Sequence, residues 1–194
     1  MSALKQSSLD APMSEQEYLD FEKNADIRHE LIDGQVISMA GSSRQHNAIA
    51  GNVFAHCHSA LKGKTCRVYS SDVKVRVSHR KNYYYPDVVV GCSVDDSNEY
   101  YLKNPCLIVE VLSSSTAKRD RTEKLLSYMN IPSLQAYLLV AQDRPEVDLF
   151  FRSPDGGWDV QWFEGLELSF QLPCVQTQLS LAEIYAGIFS ALSE

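Results

Sequence analysis

Residues 105–113, PCLIVEVLS, constrain the fold more than any other stretch of the chain. A strand with one wet face alternates apolar and polar residues, and this run does not. Both of its faces must therefore be covered, as in a sheet enclosed between other layers. Residues 83–91, YYYPDVVVG, are a second run of the same kind. One carboxylate, Glu110, stands in the middle of the first run. Burying it is costly unless it is paired or holds a metal.

The flanking patterns give an α/β (α+β) class. Ser14 and Glu17 form a capping-box signature ahead of a helix, EQEYLDFEK. Asp33-Gly34, between two short apolar segments of RHELIDGQVISMA, predicts a hairpin. RQHNAIAGNVFAHCHSALKG carries Ile49, Val53 and Leu61 at helical spacing, with Gly63 near its end. In CRVYSSDVKVRVS, Val73, Val75 and Val77 alternate with Asp72, Lys74 and Arg76. TAKRDRTEKLLSYMN predicts a helix with Leu125, Leu126 and Met129 toward a core, its start capped by Ser115 or Thr116. LQAYLLVA, VDLFFRS, WDVQWFEG and LELSFQL predict further strands, and SLAEIYAGIF a closing helix with Ser180 and Glu183 as its capping box. The expectation is one domain over 1–194, with 1–12 loose and a core at about 43–142.

Composition narrows the function. The formal net charge is −7, unlike the basic excess of a nonspecific nucleic-acid binder. No apolar run approaches the roughly 20 residues that span a bilayer, and the N-terminus lacks an apolar signal region, so a cytoplasmic protein is expected. The five cysteines are odd in number and include no CxxC. This points to buried free thiols rather than a disulfide framework or a zinc ribbon. His56, Cys57 and His58 are neighbours on a helix and point apart, which disfavours a metal there.

Asp87 flanks one buried strand and Glu110 interrupts the other. Sequential strands are usually neighbours, so the two carboxylates can meet at one end of a sheet. Two oxygen ligands of this kind suit Mg²⁺ or Mn²⁺, which bind through carboxylates, water and substrate phosphate. Such an ion can lower the pKa of a water, and a nearby ammonium can offset developing charge. Lys118, Arg119 and Arg121 form a small basic cluster suited to phosphate contact or, equally, to a solvated helix face. Tyr83, Tyr84 and Tyr85 are read as strand packing.

The matching strings HELIDGQVISMA, the helix entry with His46, YYPDVVV, LIVEVLSSSTAKRDRTEKLLSY and AYLLV resemble the Uma-type restriction-endonuclease family of the PD-(D/E)XK nuclease superfamily. They cover about Tyr18 to Tyr185. The resemblance implies a restriction-endonuclease-like core, a mixed central sheet flanked by helices. To this the chain would add an N-terminal helix and hairpin and extra C-terminal antiparallel strands. It also implies a divalent-metal site and phosphodiester hydrolysis. Asp87 and Glu110 match the metal carboxylates. The lysine of the superfamily pattern, two residues after the glutamate, is absent because position 112 is Leu112. Lys124 on the following helix matches the family's replacement. Glu30 matches a third acid, as ligand or as a neighbour that anchors the site, and His46 a residue that contacts phosphate or positions water.

Two readings stand side by side. One is a Mg²⁺- or Mn²⁺-dependent endonuclease acting on nucleic acid, DNA by preference, in which a homodimer would serve duplex cleavage. The other is a nuclease-like interaction module without catalysis, in which Glu110 and Lys124 form a buried ion pair that organises the sheet end.

Overall fold

The structure is a computed structural model and describes residues 11–189. The segment expected to be loose lies outside the described residues apart from Ala11 and Pro12. Helix α1 (Glu15–Lys23) starts at the Ser14–Glu17 capping box, with both reciprocal bonds formed. Strands β1 (His29–Ile32) and β2 (Gln35–Ser38) follow as an antiparallel hairpin. Its turn residues Asp33 and Gly34 have φ of 49° and 84°, the left-handed pair that a two-residue hairpin turn needs. Helix α2 (Arg44–Ala60) is capped by Ser43, whose hydroxyl accepts the His46 N–H.

The valine-rich stretch splits into β3 (Arg67–Ser70) and β4 (Lys74–Val77). These belong to different sheets, a division the alternation alone did not reveal. Next come β5 (Asn82–Tyr84), β6 (Val88–Gly91), the two-residue β7 (Tyr101–Leu102) and β8 (Pro105–Leu112). One sheet runs β2-β1-β5-β4-β7. The other runs β11-β10-β9-β8-β6-β3, where β9 is Ala136–Ala141, β10 Glu146–Arg152 and β11 Trp158–Glu164. The expected mixed α/β architecture is present, with two larger sheets where one was expected. A hairpin of β12 (Ser169–Leu172) and β13 (Thr177–Ser180) leads into a helix, α5, of only four residues, Leu181–Ile184, shorter than its sequence pattern suggested.

All eight residues of β8 are buried, and each face has its own cover. Leu107, Val109 and Val111 join a core with Ile49, Val53 and Cys57 of α2 and with the C-terminal hairpin. Ile108 and Leu112 join a second core with Val75, Tyr84, Tyr128 and Tyr137. Glu110 shares this second face by period-two alternation. The β8–β9 pair is parallel, so the chain between them must cross over the sheet, and it does so as a broken helix. Its parts are α3 (Ala117–Arg119), a π-helical turn at Asp120–Lys124 and α4 (Leu125–Met129).

Three local expectations are corrected. Leu126 is 65% exposed and Tyr128 is buried, because the π turn inserts a residue and rotates the following face. The crossover start is not capped by Ser115 or Thr116; Ser113 Oγ accepts the Thr116 N–H at 3.2 Å. Four of the five cysteines are paired as Cys66–Cys92 and Cys106–Cys174, and Cys57 is free and buried. Strand pairing brings Cys66 opposite Cys92 beside the Arg67–Gly91 register, which a separation of 26 residues does not show.

Candidate active site

The junction between the two sheets gathers charged side chains into a cleft of about 390 Å³, lined among others by Glu30, His46, Asp87, Glu110, Asp120 and Lys124. Glu30 comes from β1, Glu110 from β8, His46 from the first turn of α2, and Asp120 and Lys124 from the π turn. Asp87 sits just before β6, whose Val88 pairs with Val109 of β8. The antiparallel pairing thus carries Asp87 to the Glu110 end of the sheet.

Lys124 is the hub. Its Nζ lies 2.9 Å from Glu30 Oε1, 3.0 Å from Glu110 Oε1 and 3.4 Å from Asp120 Oδ1. Lys124 is 5% exposed, and burial opposes its charge. Glu110, Glu30 and Asp120 outweigh that and hold its pKa well above the ordinary lysine range. Glu110 is 4% exposed, and burial pushes its carboxyl well above the usual range. Lys124 pulls it back, while Asp120, Asp87 and Glu30 add to the rise. Burial likewise raises Asp120. The Tyr128 hydroxyl donates to Glu110 Oε1 at 3.1 Å.

The second half of the site is built on Asp87. Its Oδ2 accepts the Val111 N–H at 2.7 Å, which ties the carboxylate to the strand that bears Glu110. Its Oδ1 lies 2.9 Å from His46 Nε2. The other ring nitrogen is His46 Nδ1. That atom is buried and has no hydrogen-bond partner, as is Asp120 Oδ1, whose approach to Lys124 misses hydrogen-bond geometry.

The other basic residues divide. Arg119 lines the cleft with Nη1 3.6 Å from Glu30 Oε2. Lys118 is exposed and does not line it. Arg121 turns to β10, where it pairs with Asp148 and lies 3.7 Å from Glu146. Tyr83, Tyr84 and Tyr85 are buried, consistent with strand packing. From the sequence alone Asp120 reads as a carboxylate suited to the positive helix end, able to pair with Arg119 or Lys118 and to scaffold the site, while Tyr128 has no role there. Asp120 lies four residues before Lys124 and Tyr128 four after it; that spacing was the available signal, obscured by the π turn at Asp120–Lys124.

The cleft is lined by four carboxylates, of which Glu30, Glu110 and Asp120 face Lys124 and Asp87 faces His46, so carboxylates outnumber the two cations Lys124 and Arg119. Carboxylate oxygens are the donor type that a hard divalent cation takes. Asp87 and Glu110, from neighbouring strand ends, are the residues that could hold one.

Comparison with known proteins agrees with this fold. The chain is 34% identical over 177 residues to "Uncharacterized protein slr1290" of Synechocystis sp. (strain ATCC 27184 / PCC 6803 / Kazusa), covering 91% of this chain and 93% of the relative. It is 33% identical over 145 residues to "Uncharacterized protein sll1609" of the same organism, covering 73% and 82%. Its backbone matches the crystal structure of "a putative nuclease belonging to DUF820" from Anabaena variabilis ATCC 29413 with a TM-score of 0.74 and 17% identity, over 90% of this chain and 98% of that one. The profile described as "Uma2: Putative restriction endonuclease" matches residues 15–183. The chain therefore belongs to the Uma2 family and has a restriction-endonuclease-like core.

Proposed function

We propose that this protein is a divalent-metal-dependent phosphodiester hydrolase acting on DNA, with Asp87 and Glu110 as the metal carboxylates. The observation that carries this reading is the cleft itself, where carboxylates from two sheets converge on one buried ammonium. A bound Mg²⁺ or Mn²⁺ would polarise the phosphate and lower the pKa of a water. The protein's own groups then have separable roles. Lys124 offers a fixed positive charge to a phosphate oxygen or to the attacking water. His46 holds Asp87 through Nε2. Arg119, at the cleft rim, is placed to meet the nucleic-acid backbone. A two-fold dimer would offer one such site to each strand of a duplex.

The test is cleavage of plasmid and linear DNA with Mg²⁺ or Mn²⁺. Wild type is expected to cut, and Asp87→Ala and Glu110→Ala to lose at least a hundredfold in rate, with unchanged circular dichroism. Full activity in either variant overturns the assignment.

One observation favours a second reading, a noncatalytic binding module: Lys124 already joins Glu30, Glu110 and Asp120 as a structural ion cluster. In that case neither Mg²⁺ nor Mn²⁺ binds, and the wild type cleaves no DNA with either ion.

A further inference from the structure

Three cysteine sulfurs, those of Cys92, Cys106 and Cys174, meet at the far end of β8 from Glu110, and Cys66 joins them through its bond to Cys92. Cys66 precedes β3, Cys92 follows β6, Cys106 is the second residue of β8, and Cys174 lies in the turn between β12 and β13. Cys106 and Glu110 are four residues apart on one strand, a distance of about 13 Å. The cluster is therefore separate from the acidic cleft. Cys66 pairs with Cys92, and Cys106 with Cys174. The two pairs also touch each other. Cys92 Sγ lies 3.3 Å from Cys106 Sγ and 3.9 Å from Cys174 Sγ. The sulfurs of Cys92, Cys106 and Cys174 all lie within 4.8 Å of one another.

Two independent staples have no need to abut. Four thiolates around one ion do: a tetrahedral zinc site has Zn–S bonds of about 2.3 Å, hence S···S separations of about 3.8 Å. The contacts between the pairs bracket that separation. Cys106 is buried at 5% exposure, and Cys66, Cys92 and Cys174 pack against the same apolar core. Soft thiolates select zinc-class cations over Mg²⁺, so the two ends of β8 differ in metal preference.

We propose that Cys66, Cys92, Cys106 and Cys174 form a tetrathiolate site for a thiophilic divalent cation, Zn²⁺ by class, in the reduced protein, with the two disulfides as the oxidised form. Two equivalents of a dithiol reductant deliver four electrons and four protons to the two S–S bonds. Four protein thiols form and two dithiols become cyclic disulfides. Binding of Zn²⁺ then releases four protons as the thiols become thiolates. The site fastens the β12–β13 hairpin to the β3–β6–β8 end of the sheet.

The test is titration of the reduced full-length chain with Co²⁺ and then Zn²⁺, with and without Glu110→Ala. The expected result is sulfur-to-metal charge-transfer absorption saturating at one Co²⁺ per chain, bleached by Zn²⁺. It should be kept in Glu110→Ala and Cys57→Ser and lost in Cys92→Ser and Cys174→Ser. Zn²⁺ should also shield four thiols of the wild type from alkylation, counted by mass, so the result does not depend on the folding of the serine variants. Absence of thiolate absorption in the reduced wild type, its persistence in Cys92→Ser, or shielding of fewer than four thiols overturns the proposal. None of these readouts depends on nuclease activity.

Discussion

At the residue scale, one ammonium decides the electrostatics of the cleft. Lys124 is buried, and so are Glu30, Glu110 and Asp120, the three carboxylates it faces. Removing one partner of such a cluster leaves charge buried without compensation, at a cost of about 3–5 kcal/mol. Lys124→Met keeps the side-chain length and deletes the charge, so it should lower the urea-unfolding free energy by about that much. A loss below about 1 kcal/mol would mean that solvent reaches the carboxylates and that the cluster is not closed. The sequence exposed part of this arrangement. Glu110 was visible because it broke an apolar run, and Asp87 because proline and a valine run framed it. Asp120 was visible only as a charge suited to the positive helix end and a scaffold beside the site, not as a partner of Lys124.

At the element scale, the π turn explains why the crossover was only half legible. The periodicity of TAKRDRTEKLLSYMN assigned Leu126 to the core under a uniform α-helix. One inserted residue turns Leu126 outward and brings Tyr128 inward, with its hydroxyl on Glu110 and its ring edge-on to Tyr84 and Tyr137. The same turn points Asp120 and Lys124 at the cleft; π turns occur often at functional positions for this reason. Leu126→Glu should therefore change stability by no more than about 0.5 kcal/mol, as for an ordinary surface site. Tyr128→Phe should cost about 1–3 kcal/mol, because it takes a donor from a buried carboxylate. Thermal or urea unfolding of both variants measures the contrast. The reverse order would place Leu126 in the core and remove the π turn from the account. By comparison the α1 capping box and the Asp33-Gly34 hairpin were legible in full, since each depends only on neighbouring residues.

At the scale of the whole molecule, the site exists because two sheets meet. Glu30 belongs to one and Glu110 to the other, and residues 94 apart, Glu30 and Lys124, are brought within 2.9 Å. No local pattern encodes that approach, so the sequence named the participants without fixing their contacts. The meeting has a consequence for pH. Glu110 and Asp120 titrate above their ordinary values of 4.5 and 3.8, with burial as the largest cause. A raised folded-state pKa contributes stability that is complete below the unfolded value and is lost as pH rises through the folded value. Relative to Glu110→Gln, the wild type should therefore lose stability as pH climbs above about 4.5. A divalent ion competes with the proton for the same carboxylates. Its stabilisation should be small in acid and grow through that window, reaching about 2.7 kcal/mol at an ion concentration a hundredfold above Kd. Melting curves across pH, with and without Mg²⁺, for wild type and Glu110→Gln, give the answer. A Mg²⁺ gain that ignores pH or survives in Glu110→Gln would move the ion away from this cleft. A gain that grows with pH and vanishes with Glu110 would tie the ion to the carboxylate that interrupts the buried strand.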